Sequence, residues 1–203
     1  MRIGVFSALV VMALTSGSRG ATEVALRADP ARSKLQIELG TAGFLKFMGD
    51  EHLIDVGSYQ CEVNLDEKNP ANSSVKLVVK TASLKVQDPK LEAEKRAEVQ
   101  ETMRGPKVLD VAKYPEITFE SKKVSAGEEG KYRVEGDLTI RGATRPVAFD
   151  VTLEEKAGVR HARGVARVKQ TAFGIEPVSA GGGTVKVKDE MKIVFDLALV
   201  AAK

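Results

Sequence analysis

The stretch LDVAKYPEITFES, Leu109 to Ser121, leaves a charged, helix-forming run and passes at Tyr114-Pro115 into strict alternation. Ile117 and Phe119 fall on one side, Thr118 and Glu120 on the other. Period two marks a strand with one face buried and one face wet. Pro115 falls at the start of that strand, where a missing N–H costs least. The fold depends on how many other segments repeat this pattern, and the function on what fills the buried side.

Many segments repeat it. SKLQIELG places Leu35, Ile37 and Leu39 on one face, and SYQCEVNLD continues with Tyr59, Cys61, Val63 and Leu65. SSVKLVVKTASLKV offers Val75, Leu77 and Val79. Beyond Pro115 come KYRVEGDLTI, RPVAFDVTLEE, ARGVARVKQTAFGI, TVKVK and MKIVFDLALV. Asn-Pro, Gly-Glu-Glu-Gly, Arg-Gly-Ala-Thr and Gly-Gly-Gly punctuate them as turns. Eight or nine such strands suit an antiparallel barrel or sandwich. Val134, Leu138 and Ile140, then Val147, Phe149, Val151 and Leu153, then Ile193, Phe195, Leu197 and Leu199 extend the inward set. A sandwich fills the space between such walls, whereas a closed eight-stranded barrel either fills it or holds a slender ligand.

One helix interrupts the strands. Asp88 has the character of an N-cap, Pro89 suits the first helical position, KLEAEKRAEVQETMR supplies strong helix formers and Gly105-Pro106 ends the run. Leu91, Val99 and Met103 give only a thin apolar stripe, which predicts a surface helix docked along one edge.

With 203 residues, 43% of them hydrophobic, the chain has the material for one domain with a good core. Tryptophan is absent, so the interior is expected to be mainly aliphatic. Residues 1–20 read as a secretory signal, with Arg2 ahead of an apolar run from Ile3 to Leu14 and small residues at Ser18 and Gly20 before a cleavage site. That run is shorter than the roughly 20 residues that span a bilayer. The domain is then 21–203. Taking away residues 1–20 removes two of the 31 Lys and Arg and leaves 29 against 28 Asp and Glu, a formal charge of +1. A nucleic-acid binder would show a clustered cationic excess instead. Cys61 is the lone cysteine, so the fold must stand without an internal disulfide, and its apolar flanks predict a buried, inert thiol.

No motif for catalysis appears: there is no GxSxG, HExxH, paired-cysteine metal pattern or phosphate loop. His52 and His161 stand apart, each without a Cys or His neighbour at ligand spacing, so no catalytic residue, metal or cofactor is expected. His161 reads as solvated, and His52 as either structural or a pocket-mouth group touching a ligand head. Arg163, Arg167 and Lys169 share one side of a strand, which is either the wet face of a barrel or an anion-binding rim.

Four segments taken together resemble a known family. LDEKNPANSSVKLVVKTASLKV, KVLDVAKYPEITFESKKV, YRVEGDLTIRGATRPVAFDV and TAFGIEP occur in the order and spacing of the YceI-like, polyisoprenoid-binding proteins exported by bacteria. The resemblance implies an extended, eight-stranded antiparallel lipocalin-like barrel whose apolar pore holds an isoprenoid chain, in the periplasm or secreted. It implies a binding or carrier protein rather than an enzyme, with an isoprenoid lipid or quinone-like ligand and no nucleic acid, and leaves open a transient membrane contact and a homodimer. The chain departs from the family pattern at Gln170-Thr171-Ala172-Phe173 and at GFLKFMGDEHLIDVG, which touches the identity of the ligand more than the fold. The expected pore lining is Phe44, Phe47, Leu77, Val79, Tyr114, Ile117, Phe119, Leu138, Ile140, Phe149, Phe173 and Phe195, with His52 at the mouth. The rival expectation is a ligand-free structural or stress-related interaction barrel with a filled core.

Overall fold

The computed structural model describes residues 23–42, 52–180 and 185–202. The expected signal segment, Phe44 and Phe47 lie outside the described residues. In chain order the strands are β1 (Glu23–Ala28), β2 (Lys34–Ala42), β3 (His52–Val56), β4 (Tyr59–Asp66), β5 (Ser74–Lys80) and β6 (Leu84–Val86). The helix α1 (Ala93–Arg104) follows, then β7 (Glu116–Ala126), β8 (Lys131–Ile140), β9 (Ala143–Lys156), β10 (Val159–Lys169), β11 (Ser179–Ala180) and β12 (Val185–Ala201).

These segments occupy eight positions around a closed ring. The long β12 pairs with β2 along its first part and with β1 at its end, so β1 and β2 are one kinked strand, bent at Pro30–Arg32. β4 pairs with β1 while β3 pairs with β2, and β5 pairs with β4 while β6 pairs with β3. From β7 to β10 each strand pairs with the next, β5 with β7 and β10 with β12. Every pairing is antiparallel and follows chain order, so the fold is an up-and-down barrel and not a sandwich. Ile117 lies opposite Val79 and Phe119 opposite Leu77, and both β7 residues are buried, as the alternation at Pro115 predicts.

The ring is weakest beside β6, where β7 has not yet begun. There α1 supplies the missing partner. Gln100 accepts from the Val86 N–H through Oε1 at 2.8 Å and donates from Nε2 to the Leu84 carbonyl at 2.9 Å, so one side-chain amide caps the strand edge. Met103 is buried and Val99 half-buried against the core. The helix ends at Gly105 as expected but starts later than the sequence suggests, at Ala93 with Glu92 in the N-cap position. Asp88 caps nothing. Its carboxylate points to β3 instead, and a tertiary partner has overridden a local signal.

The wet face is closely paired. Arg160 meets Glu67 at 3.0 Å, Arg163 bridges Asp196 and Glu154 at 2.8 Å each, and His161 Nδ1 lies 2.7 Å from Asp196. Burial raises the Asp196 carboxyl, but the hydrogen bonds from His161 and Arg163 and the guanidinium charge outweigh it and hold it below the usual range. Arg160 and Arg163 are therefore neutralised on the barrel exterior, Arg167 lies 4.0 Å from Glu190, and His161 is paired there, not solvated.

Candidate functional site

The inward side chains of the barrel do not fill it. Two chambers lie inside, of about 140 and 250 Å³. An engineered apolar cavity of about 150 Å³ stays dry and takes up benzene, so each chamber has room for hydrocarbon. Leu35, Leu77, Leu138 and Ile193 line both, which places the chambers next to each other with these four side chains as the neck between them.

The first chamber is walled by β4, β5 and β7 to β10 with β12, and its character is set by three rings. Phe119 and Phe149 stand with centroids 5.4 Å apart, and Phe149 meets Phe195 edge-on at 5.7 Å. Two glycines on inward positions let those rings lie back against the wall. A Cβ at Gly136 would stand 2.8 Å from Phe119 Cε2, and one at Gly164 would stand 2.5 Å from Phe195 Cζ. Sequence reasoning passed over both, although an inward glycine inside a strand pattern signals close approach. Cys61 is also on this wall, free and buried, and burial pushes its thiol up to about 12.

The second chamber lies toward α1 and has a different lining. Ile54, Val79, Ile117, Ile140 and Met191 supply apolar surface, while His52, Glu98, Thr102 and Gln170 bring polar groups to it. Val99, Thr102 and Met103 make the helix part of the chamber wall, a role beyond the edge docking read from its thin stripe. His52 is fixed from behind. Its Nδ1 lies 2.6 Å from Oδ2 of Asp88, whose Oδ1 accepts from the Leu53 N–H at 2.6 Å, and the Asp88 side chain is 1% exposed.

Of the expected lining residues among those described, Leu77 and Leu138 line both chambers, Phe119, Phe149 and Phe195 the first, and Val79, Ile117, Ile140 and His52 the second. Two take other places. Phe173 is buried in the turn after β10 but is on neither wall. Tyr114 is half-buried outside the chambers, its ring against Gly142, whose φ of +74° requires a residue without a Cβ there, and under the Lys113 ammonium at 5.3 Å. The residues at the neck, Leu35 and Ile193, belonged to the inward pattern but were not singled out.

The YceI-like domain pattern matches residues 26–199. The chain belongs to the YceI-like family. It is 32% identical over 148 residues to a UPF0312 protein of Yersinia pestis, covering 73% of this chain and 68% of that one. A UPF0312 protein of Vibrio parahaemolyticus is 30% identical over 141 residues, 70% of this chain and 67% of its own. Among solved structures, Burkholderia cenocepacia BcnA superposes with a TM-score of 0.68 at 24% identity, over 86% of this chain and 99% of that chain. A polyisoprenoid binding domain from Saccharophagus degradans, implicated in plant cell wall breakdown, gives 0.59 at 11% identity, over 88% and 99%. At such identities the structural likeness speaks for the YceI-like barrel alone.

Proposed function

We propose that this YceI-like protein is an exported, periplasmic or secreted, carrier that holds a polyisoprenoid or another long-chain isoprenoid amphiphile such as a quinone along the barrel interior. The observation that carries this is the pair of adjoining unfilled chambers with a hydrocarbon neck. Membership of the YceI-like family and the likeness in fold to a polyisoprenoid binding domain agree with it, as do the signal-like residues 1–20. A filled, ligand-free barrel would leave no such space.

The recognition needs little residue chemistry. Burial of hydrocarbon yields about 0.8 kcal/mol per methylene, so five carbons gain roughly 4 kcal/mol and fifteen roughly 12. Association costs an estimated 4 to 15 kcal/mol. Short prenols are therefore expected to bind poorly and chains of about three isoprene units or more to bind well.

Cys61 reports on this directly. With its thiol pushed up to about 12 and its side chain in the first chamber, it reacts only through opening of the barrel. A bound chain is expected to slow modification by an uncharged maleimide about a hundredfold at ligand concentrations 100 times the Kd. The protection should grow from five-carbon to fifteen-carbon prenols. Modification at one rate with and without every prenol would end the proposal.

A further inference from the structure

Between the two chambers the bore narrows to the neck of Leu35, Leu77, Leu138 and Ile193, which stand on β2, β5, β8 and β12 and so on separate parts of the wall. Two of the three phenylalanines share rungs of the sheet with these residues. Phe119 on β7 lies opposite Leu77 on one side and Leu138 on the other, and Phe195 on β12 lies opposite Leu35. The tips of both rings are laid back in recesses of the wall. Phe119 Cε2 is 2.8 Å from where a Cβ on Gly136 would be, and Phe195 Cζ is 2.5 Å from where one on Gly164 would be. Each ring therefore takes the space that a side chain would otherwise fill, which keeps it out of the bore. The recesses also set a limit. A ring that already fills its recess cannot withdraw further, and Phe149 stands against both rings, with centroids at 5.4 Å and 5.7 Å. All seven side chains belong to paired strands and not to loops, so the aperture is held at one width by close packing.

We propose that this neck is a gauge that selects ligands by cross-section: it passes a single linear hydrocarbon chain and confines a fused-ring isoprenoid to one chamber. The inference rests on the isoprenoid-binding reading and narrows the ligand to linear chains. A linear polyprenyl chain threads the neck carbon by carbon and is buried in both chambers. A fused-ring isoprenoid with the same number of carbons is broader and rigid. Passing it would force Phe119 or Phe195 against the backbone behind them or part the strands, and an interior packed in this way resists both. The selection acts on the chain, whatever the head.

The test compares geranylgeraniol with abietinol, two twenty-carbon isoprenoid primary alcohols, one linear and one built on three fused rings. Their affinities for the full chain are measured by native mass spectrometry in the unaltered protein, in Leu77→Ala and in Phe195→Leu. Geranylgeraniol is expected to bind the unaltered protein about tenfold tighter or more. In each widened variant that ratio should fall toward one, because abietinol gains access to the second half of the interior. Each variant shortens a half-buried side chain that faces the hollow, one on each rung of the neck, and circular dichroism checks that it folds. If one variant fails to fold, the other and the comparison in the unaltered protein still decide. Equal affinities in the unaltered protein, a preference for abietinol, or a ratio that survives in the folded variants would overturn the gauge. Failure of geranylgeraniol to bind at all strikes the isoprenoid reading, whereas equal binding of the two alcohols strikes only the neck.

Discussion

Replacing Gly136 by alanine is expected to destabilise the barrel by about 3 kcal/mol or more, beyond the usual range for overpacking. The Cβ would fall 2.4 Å from the Glu120 carbonyl oxygen, 2.7 Å from Ser121 Cα and 2.8 Å from Phe119 Cε2. Two of these atoms are backbone and cannot rotate away. They belong to the point where β7 bulges, between Ser121 and Lys123, so that Val124 regains the inward phase opposite Val134. Relief would require the bulge to move, and with it Phe119 and the wall of the first chamber. For a domain of this size the change corresponds to a melting temperature lower by roughly 6–12 °C. Thermal unfolding followed by circular dichroism checks it, and a variant melting within about 2 °C of the parent would show that β7 does not pass as close to β8 as described.

The second large effect is expected at Asp88. Its carboxylate is buried and makes two charge-assisted hydrogen bonds, to the Leu53 N–H and to His52, that tie β3 to the segment leading into α1. Asp88→Ala leaves the half-buried Leu53 donor and the imidazole without their acceptor, which costs about 2–4 kcal/mol. Asp88→Asn retains one carbonyl oxygen, enough for Leu53, but presents an amide to Nδ1. About half that loss is expected. Urea unfolding measures the stability change, and a loss under about 1 kcal/mol for the alanine variant would contradict the role given to this carboxylate.

Much of the barrel could be read from alternation alone. Strands one residue out of phase would turn Ile117, Phe119, Leu138 and Phe149 to water, so the pattern leaves little choice of face. Closure was not written there in the same way. A sandwich and a barrel share the same alternation, and only the pairing of β12 with both halves of one kinked strand separates them. The start of α1 was misread because Asp-Pro is a strong local helix signal, and nothing local shows that β3 will claim the aspartate 35 residues away. Aromatic content misled at Tyr114 and Phe173, which fill space outside the chambers, because a large ring is as useful in a turn or over a left-handed glycine as on a tunnel wall. The hollow itself was not legible. Whether opposing walls meet depends on the barrel's width and on small inward residues such as Gly136, Gly164, Ala162 and Ala166, not on the apolar pattern that builds the walls.

The central claim is that the interior stays open for a hydrocarbon chain. Native mass spectrometry of the folded protein after incubation with a long polyprenol tests it most directly. One polyprenol retained per chain, released on denaturation and excluded when a bulky side chain such as Leu138→Trp blocks the neck, is the predicted result. A folded protein that retains no polyprenol, or that retains it equally with the neck blocked, would contradict the account.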